Sequence, residues 1–346
     1  MANLPTDIGD DTERSASIMP QVARRPSARR IRKAEFVGDP HFPPVANGLD
    51  YLVSVVDLLE SDSGGSTARE LKYAVLHLAA GAEVLLKARL QIEHWSLVFT
   101  HPGQATREAL EDGSLSSCGP DETRQRLKNI VGITFSGREE QALKDLARSR
   151  NQLQHWGLTG EQARASVVAS TTARVLNFLV AFVEDHLLPW LQEPELSEAR
   201  EEMGHVRDGL AFIEQYVRER MKDLAPRLGR VRRSTVQCPL CRQWALVAHG
   251  YESPQEIDDL DIDDMFNVEC LFCTERLTPR EAAHEYAGVI LGHFGNEEAF
   301  DLPAEVHLCP ECKNDVLVRG AATVAAPNRP VDFCFACATA PVASRS

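Results

Sequence analysis

The chain has no excess of basic residues. Lys and Arg number 37 against 51 Asp and Glu, a formal net charge of −14. The molecule as a whole is therefore no general polyanion binder, and any nucleic-acid surface must be local. Purely apolar runs extend over only a few residues, so no membrane-spanning helix is predicted. The first residues lack the apolar core of a secretory signal and instead carry Asp7, Asp10, Asp11 and Glu13. Of nine cysteines only Cys118 stands outside a C-x-x-C pair, which leaves little room for a disulfide framework. Thiols so paired, with no export signal, suit a metal and predict a cytoplasmic location. What remains is ordinary for a globular protein: 43% hydrophobic and 25% charged residues over 346 positions, enough for two or three domains.

The C-terminal third is organised by its cysteines. Cys238-Pro-Leu-Cys241 and Cys270-Leu-Phe-Cys273 are separated by 28 residues, Cys309-Pro-Glu-Cys312 and Cys334-Phe-Ala-Cys337 by 21. Zinc takes four soft ligands in a tetrahedron, and two tight C-x-x-C turns supply them. The spacing predicts tandem zinc ribbons over 234–280 and 303–342, holding two zinc ions. Pairing in sequence order needs only local loops, although an interleaved cross-brace has the same spacing. Four thiolates leave no position for a substrate water, so both ions are read as structural. The loop of the first ribbon carries Glu252, Glu256, Asp258, Asp259, Asp261, Asp263 and Asp264. Such a loop repels phosphate, which favours a protein partner there and counts against a DNA-binding regulator. In the second ribbon, Lys313, Arg319 and Arg329 are too few to specify a groove.

The preceding part reads as helical. Residues 1–42 form a polar tail, predicted disordered, with Arg24, Arg25, Arg29, Arg30, Arg32 and Lys33 clustered in it. A solvated arm is the simpler reading of that cluster; a phosphate-binding arm is the other. A helical domain is predicted over 43–193, followed by a charged linker helix within 194–233. Ser66 or Thr67 is a good N-cap for the second helix, Glu70 standing three residues after Thr67 as in a capping box, and Ser136 caps the central helix with Glu139 three residues on. Leu76, Ala79, Leu86 and Leu90 define a stripe that includes Glu83, which either meets Arg150 or Arg148 or lies at the stripe edge in water. Glu161 to Leu191 is apolar enough for a core helix. Arg227, Arg230, Arg232 and Arg233 make a basic hinge before the first knuckle.

The helix Glu139 to Gly157 is the centre of this domain. Leu143, Leu146, Leu153 and Gly157 share a stripe, and Arg150 falls within it, where an unpaired charge is costly to bury. His155 stands four residues beyond Asn151, on the same face. Arg150-Asn151-x-x-x-His155 resembles the R-N-x-x-x-H form of the R-x4–6-H motif of the HEPN superfamily, over roughly residues 45 to 192. Arg148 also satisfies the looser spacing, so counting leaves both arginines open. The resemblance implies an all-helical domain that pairs as a two-fold dimer. It also implies a metal-independent endoribonuclease, of the kind found in toxin and phage-defence systems. His155 would move protons, Arg150 would stabilise charge on the phosphorus, Asn151 would position, and Glu83 would orient the arginine. The alternative is an inactive dimeric scaffold whose ribbons bind a protein. The fold class expected is thus mainly α, a helical bundle followed by small β modules on zinc.

Overall fold

The computed structural model describes residues 41–60, 66–114, 116–250, 266–292 and 306–338. The chain divides into Met1–His41 and Phe42–Ser346. The predicted basic tail, in its first forty residues, and the acidic loop from Glu252 to Asp264 lie outside the described residues. From Phe42 on, a helical bundle precedes a small antiparallel sheet, as the residue patterns predict.

The bundle starts with a helical hairpin. α1 (Pro44–Leu59) places Val45, Leu49, Leu52, Val56 and Leu59 on one buried face at the three- and four-residue spacing that makes an apolar stripe. α2 (Ala68–Glu93) opens with the predicted capping box: the Thr67 amide donates to Glu70 Oε2 at 2.7 Å, and the Glu70 amide to Thr67 Oγ1 at 3.2 Å. The two helices pack along most of their length, and Gly48 faces Leu85 so closely that a Cβ there would lie 2.5 Å from Leu85 Cδ2. Two short helices follow, α3 (Arg107–Glu111) and α4 (Pro120–Arg126). Cys118 is buried between them with its sulfur 3.3 Å from Thr123 Oγ1.

α5 (Gly137–His155) is the central helix of the sequence reading, capped by Ser136 and Glu139 as predicted. It packs on α2 and on α6 (Ala165–His186). The stretch Ala165–Trp190 is long and apolar enough to cross a membrane by composition alone, with a mean hydropathy of 1.6. Its packing identifies a core helix: Val175, Leu176, Leu179 and Val183 are fully buried, and it contacts α2, α5 and α8 (Glu214–Arg230).

The predicted linker helix is a different structure. It is two helices, α7 (Glu195–Leu210) and α8, broken at Ala211–Ile213. Both belong to the bundle, α7 against α1 and α8 against α6. Met203, Val206, Tyr216, Leu224 and Leu228 are buried. Their spacing was present in the sequence but diluted by the surrounding charge, which hides an apolar stripe only a few residues wide.

The sheet also differs from two independent ribbons. The first ribbon contributes β1 (Thr235–Val236), β2 (Leu246–Ala248), β3 (Val268–Cys270) and β4 (Arg276–Leu277). The second contributes β5 (Val306–Leu308), β6 (Asp315–Thr323) and β7 (Ala326–Cys334). Val236 pairs with Thr323, so β1 joins β6 and the strands form one sheet in the order β4-β3-β2-β1-β6-β5, with β7 on the other edge of β6. A helix, α9 (Pro279–Glu285), follows β4 and packs on β6. Beyond it, Tyr286 accepts from the Ala322 amide at 3.1 Å and stacks on Phe335 at 5.8 Å. Strands of two and three residues make too few pairings to specify this connection from sequence.

The approach of α7 to α1 depends on Gly209, where a Cβ would stand 2.2 Å from Val56 Cγ1. Gly209→Ala is expected to cost about 1–3 kcal/mol by overpacking. Gly204 lies in the same helix with nothing within 4 Å of an added Cβ. Gly204→Ala should therefore stabilise by roughly 0.5–1 kcal/mol. Urea denaturation of the two variants checks the opposite signs.

Candidate functional site

The eight paired cysteines form two quartets, Cys238/Cys241/Cys270/Cys273 and Cys309/Cys312/Cys334/Cys337, with the sulfurs of each quartet all within 4.8 Å of one another. Pairing is thus in sequence order. The closest sulfurs across knuckles are 3.6 Å (Cys241–Cys270) and 3.9 Å (Cys238–Cys273) in the first quartet. In the second they are 3.7 Å (Cys312–Cys334) and 3.9 Å (Cys309–Cys337). A tetrahedron with zinc–sulfur bonds of about 2.3 Å has edges of about 3.8 Å, whereas a disulfide needs about 2.05 Å. The donor set and its geometry fit two structural zinc ions.

The knuckles are built alike. Arg242, Thr274, Lys313 and Ala338, each directly after the second cysteine of a pair, all have φ between 57° and 61°. Each donates its amide to the carbonyl of the first cysteine, at 3.0, 2.8, 3.0 and 2.9 Å respectively. This left-handed residue turns the chain so that both sulfurs face one point, a conformation that costs an ordinary side chain energy unless the site over-determines it. In the first knuckle of each ribbon the side-chain amide two residues after the second cysteine donates to that cysteine's carbonyl: Gln243 to Cys241 at 3.3 Å, Asn314 to Cys312 at 3.0 Å. The sequence carried this signal as a shared Cys-Pro-x-Cys-basic-amide pattern at 238–243 and 309–314.

The closely placed thiols of each quartet compete for protons. Hydrogen bonds from Cys241, then Cys270 and Cys273, drive Cys238 far below the ordinary thiol range, and Cys238 in turn pushes Cys270 far above it. In the second quartet Cys334 and Cys337 bring Cys312 down to about 2, while Cys312 pushes Cys334 far up. A divalent ion, when bound, ends this competition by taking all four as thiolates and fixing both knuckles.

The first quartet is docked on the bundle. Phe272, inside its second knuckle, meets the buried Tyr216 of α8 edge-on at 5.8 Å. Arg220 donates to the Leu271 carbonyl at 3.0 Å. Arg207 of α7 donates to Thr274 Oγ1 at 3.4 Å and pairs with Glu184 of α6 at 3.6 Å. These residues line a small cavity that Cys273 also borders. Burial raises the Glu184 carboxyl above its ordinary value against the pull of Arg207 and Arg220.

From α8 a second set of polar contacts reaches the candidate catalytic helix. Arg138, in the first turn of α5, pairs with buried Glu219 at 2.7 Å and with Asp223. Lys222 holds Glu219 at 3.0 Å and Asn177 donates to Asp223 at 3.1 Å. Burial acts upward on the Glu219 carboxyl, but Lys222, Arg138 and Arg174 outweigh it and leave the carboxyl below its ordinary 4.5.

At the other end of α5 the motif residues are open to solvent. Asn151, His155 and Trp156 are exposed and Arg150 is half-buried; Trp156 is 75% exposed. Arg150 donates to Asn151 Oδ1 at 3.0 Å. His155 contacts the Trp156 ring at 5.6 Å. Arg148 is engaged by Asp145 at 2.9 Å, so the two arginines that counting left equal are placed differently. Arg150 and His155, five positions apart, point about 140° from one another around the helix, and among the described residues they share no hydrogen bond. The expected pairing of Glu83 with either arginine is absent. Glu83 binds Lys87 at 2.6 Å, one turn along α2, and is partly solvent-accessible. The stripe-edge reading is the correct one, since an acid can reach a lysine four residues on without leaving its own helix.

The chain matches no protein-family model, no curated protein and no solved structure among those compared.

Two outcomes follow from this geometry. Cys270→Ser with Cys273→Ser should reduce zinc from two ions to one per chain and speed amide exchange in α8, whereas Cys309→Ser with Cys312→Ser should loosen β5–β7 and leave α8 protected. Elemental analysis with hydrogen exchange reads both. Glu219 has a lowered folded value, so its stabilisation is complete above the unfolded value and is lost as pH falls through the folded one. Glu219→Gln should therefore lower the urea midpoint at neutral pH, and the gap to wild type should close under acid conditions.

Proposed function

We propose that this chain is a metal-independent endoribonuclease of HEPN type, stabilised by structural zinc. The observation that carries the reading is the state of Arg150: it contacts Asn151 and, among the described residues, pairs with no carboxylate, while on the same helix Arg148 is held by one and Arg138 by two. A guanidinium left without an acid, on a helix whose last residue is an exposed histidine, suits phosphate, which its planar fork grips in two places.

In the proposed reaction the ribose 2′-oxygen attacks phosphorus, its proton passes to one His155, and the bond to the 5′-oxygen breaks as that oxygen gains a proton. The products are a 2′,3′-cyclic phosphate and a 5′-hydroxyl. Arg150 offsets the charge that develops on the phosphoryl oxygens, and Asn151 holds Arg150 toward them. Among the described residues, a single copy presents His155 on an open helix end with no cleft around it. Two copies related by a two-fold axis supply a base, an acid and two arginines to one cleft, so the active species is a dimer. DNA is no substrate, because it lacks the 2′-hydroxyl.

A second reading draws on that same openness. A helix end with exposed Trp156 also serves a scaffold that pairs two chains and cuts nothing.

His155→Ala should abolish cleavage of single-stranded RNA without changing zinc content. Arg150→Ala should lower the rate by about 100- to 1,000-fold, and Arg148→Ala should matter less. Brief chelation should leave cleavage intact. A zinc-loaded dimer that leaves diverse RNAs uncut returns the chain to the scaffold reading; a strict monomer in sedimentation removes the shared cleft.

A further inference from the structure

The longest stretch near the middle of the chain without a carboxylate runs from 224 to 251, 28 residues in a protein where Asp and Glu make up 51 of 346. About four acids would be expected there at the chain's own frequency. The stretch instead holds Arg227, Arg230, Arg232 and Arg233, all exposed. They occupy the junction where α8 ends and the sheet begins.

The junction is a built turn. Val231 closes the helix with its amide on the Leu228 carbonyl at 3.2 Å. The Ser234 amide then donates to the Val231 carbonyl at 3.0 Å, and Thr235 Oγ1 donates to the same carbonyl at 2.7 Å. Arg232 and Arg233 are the two central residues of that turn. The Ala325 amide, from the turn between β6 and β7, donates to the Arg232 carbonyl at 3.0 Å. The backbone beneath the arginines is thus tied to the helix, to β1 and to the second ribbon.

Their heads are little engaged. Arg232 reaches the Val324 carbonyl at 3.4 Å, and among the described residues none of the four pairs with a carboxylate. Asp223, the nearest acid along α8, is taken by Arg138 and Asn177. The helix dipole accounts for Arg227 and Arg230 in the last turn of α8, where cations are favourable. It does not account for Arg232 and Arg233, which lie beyond the helix.

We propose that this junction is a binding surface for the phosphate backbone of single-stranded RNA, and that it holds the substrate of the cleavage proposed above. All four residues are arginine, whose fork matches phosphate oxygens in two-point contact, where lysine offers only a point charge. A membrane surface is disfavoured because the apolar face of α8, with Tyr216, Leu224 and Leu228, is buried and is not available to insert between lipids. The acidic residues from Glu252 to Asp264 lie outside the described residues.

The test uses the full-length zinc-loaded chain carrying His155→Ala, so that RNA stays intact, and a fluorescein-labelled single-stranded oligoribonucleotide read by anisotropy. Four phosphate contacts give a log–log salt slope of about −2.8, or roughly 50-fold weaker binding at 200 than at 50 mM salt. Adding Arg230→Glu and Arg233→Glu should reduce the slope to about −1.4 or less, with zinc content and thermal midpoint retained. Arg230→Lys with Arg233→Lys, which keeps charge and fold, should bind with intermediate strength. An unchanged slope in the Glu variant overturns the proposal, as does equal binding of a Glu- and Asp-rich peptide or of phosphatidylserine vesicles. The surface also rests on the ribonuclease reading, but the two fail separately. Uncut RNA that still binds through these arginines sinks the cleavage alone. Wild-type cleavage with arginine-independent binding sinks this surface alone.

Discussion

The seating of the Cys270–Cys273 knuckle on α8 is the contact through which the two halves of the molecule become one. Phe272 against Tyr216, and Arg220 on the Leu271 carbonyl, bind a turn that has little core of its own to a helix that does. The strands of the first ribbon are two or three residues long, too short to persist without a cross-link. Four thiolates on one ion supply that cross-link, and the helix then inherits a rigid neighbour. The second ribbon meets the first by way of β1 against β6 and Tyr286 against Ala322, and its Ala325 amide meets the Arg232 carbonyl just past α8. Rigidity is therefore passed from bundle to first ribbon to second.

The candidate catalytic helix has two unlike ends. Its first turn is tied to α8 by Arg138, Glu219 and Asp223, in a network with few spare partners. Its last turn carries Arg150, Asn151 and His155 with little to hold them. A helix fixed at one end and bare at the other positions its bare end for an incoming phosphate or an incoming helix. Both proposed readings use this asymmetry, and they differ only in whether chemistry occurs between the two copies.

Helix starts were legible where the chemistry is local. Thr67 with Glu70 and Ser136 with Glu139 cap their helices within four residues, so no knowledge of the fold was needed. The eight ligands were legible from their spacing, which left an interleaved pairing open; the structure brings the knuckles together in sequence order. The docking of α7 and α8 was not, because Tyr216 and Leu228 become core only when α6 and the first ribbon are present. The pattern left Glu83 open between an arginine and water, and its partner is Lys87, one turn away on the same helix. The strand pairing that unites the ribbons, Val236 with Thr323, spans 86 intervening positions. Nothing local announces it.

The margins of the sheet bear on how copies of this chain can meet. β4, at one margin, has two residues, and β5, at the other, has three. β7 is longer but carries Pro327 and Pro330, and its register against β6 slips between Ala321 and Thr323. A proline has no amide to offer a neighbouring strand, and a slipped register presents no straight ladder to copy. Strand exchange and edge-to-edge growth are thereby discouraged on every side of the described sheet.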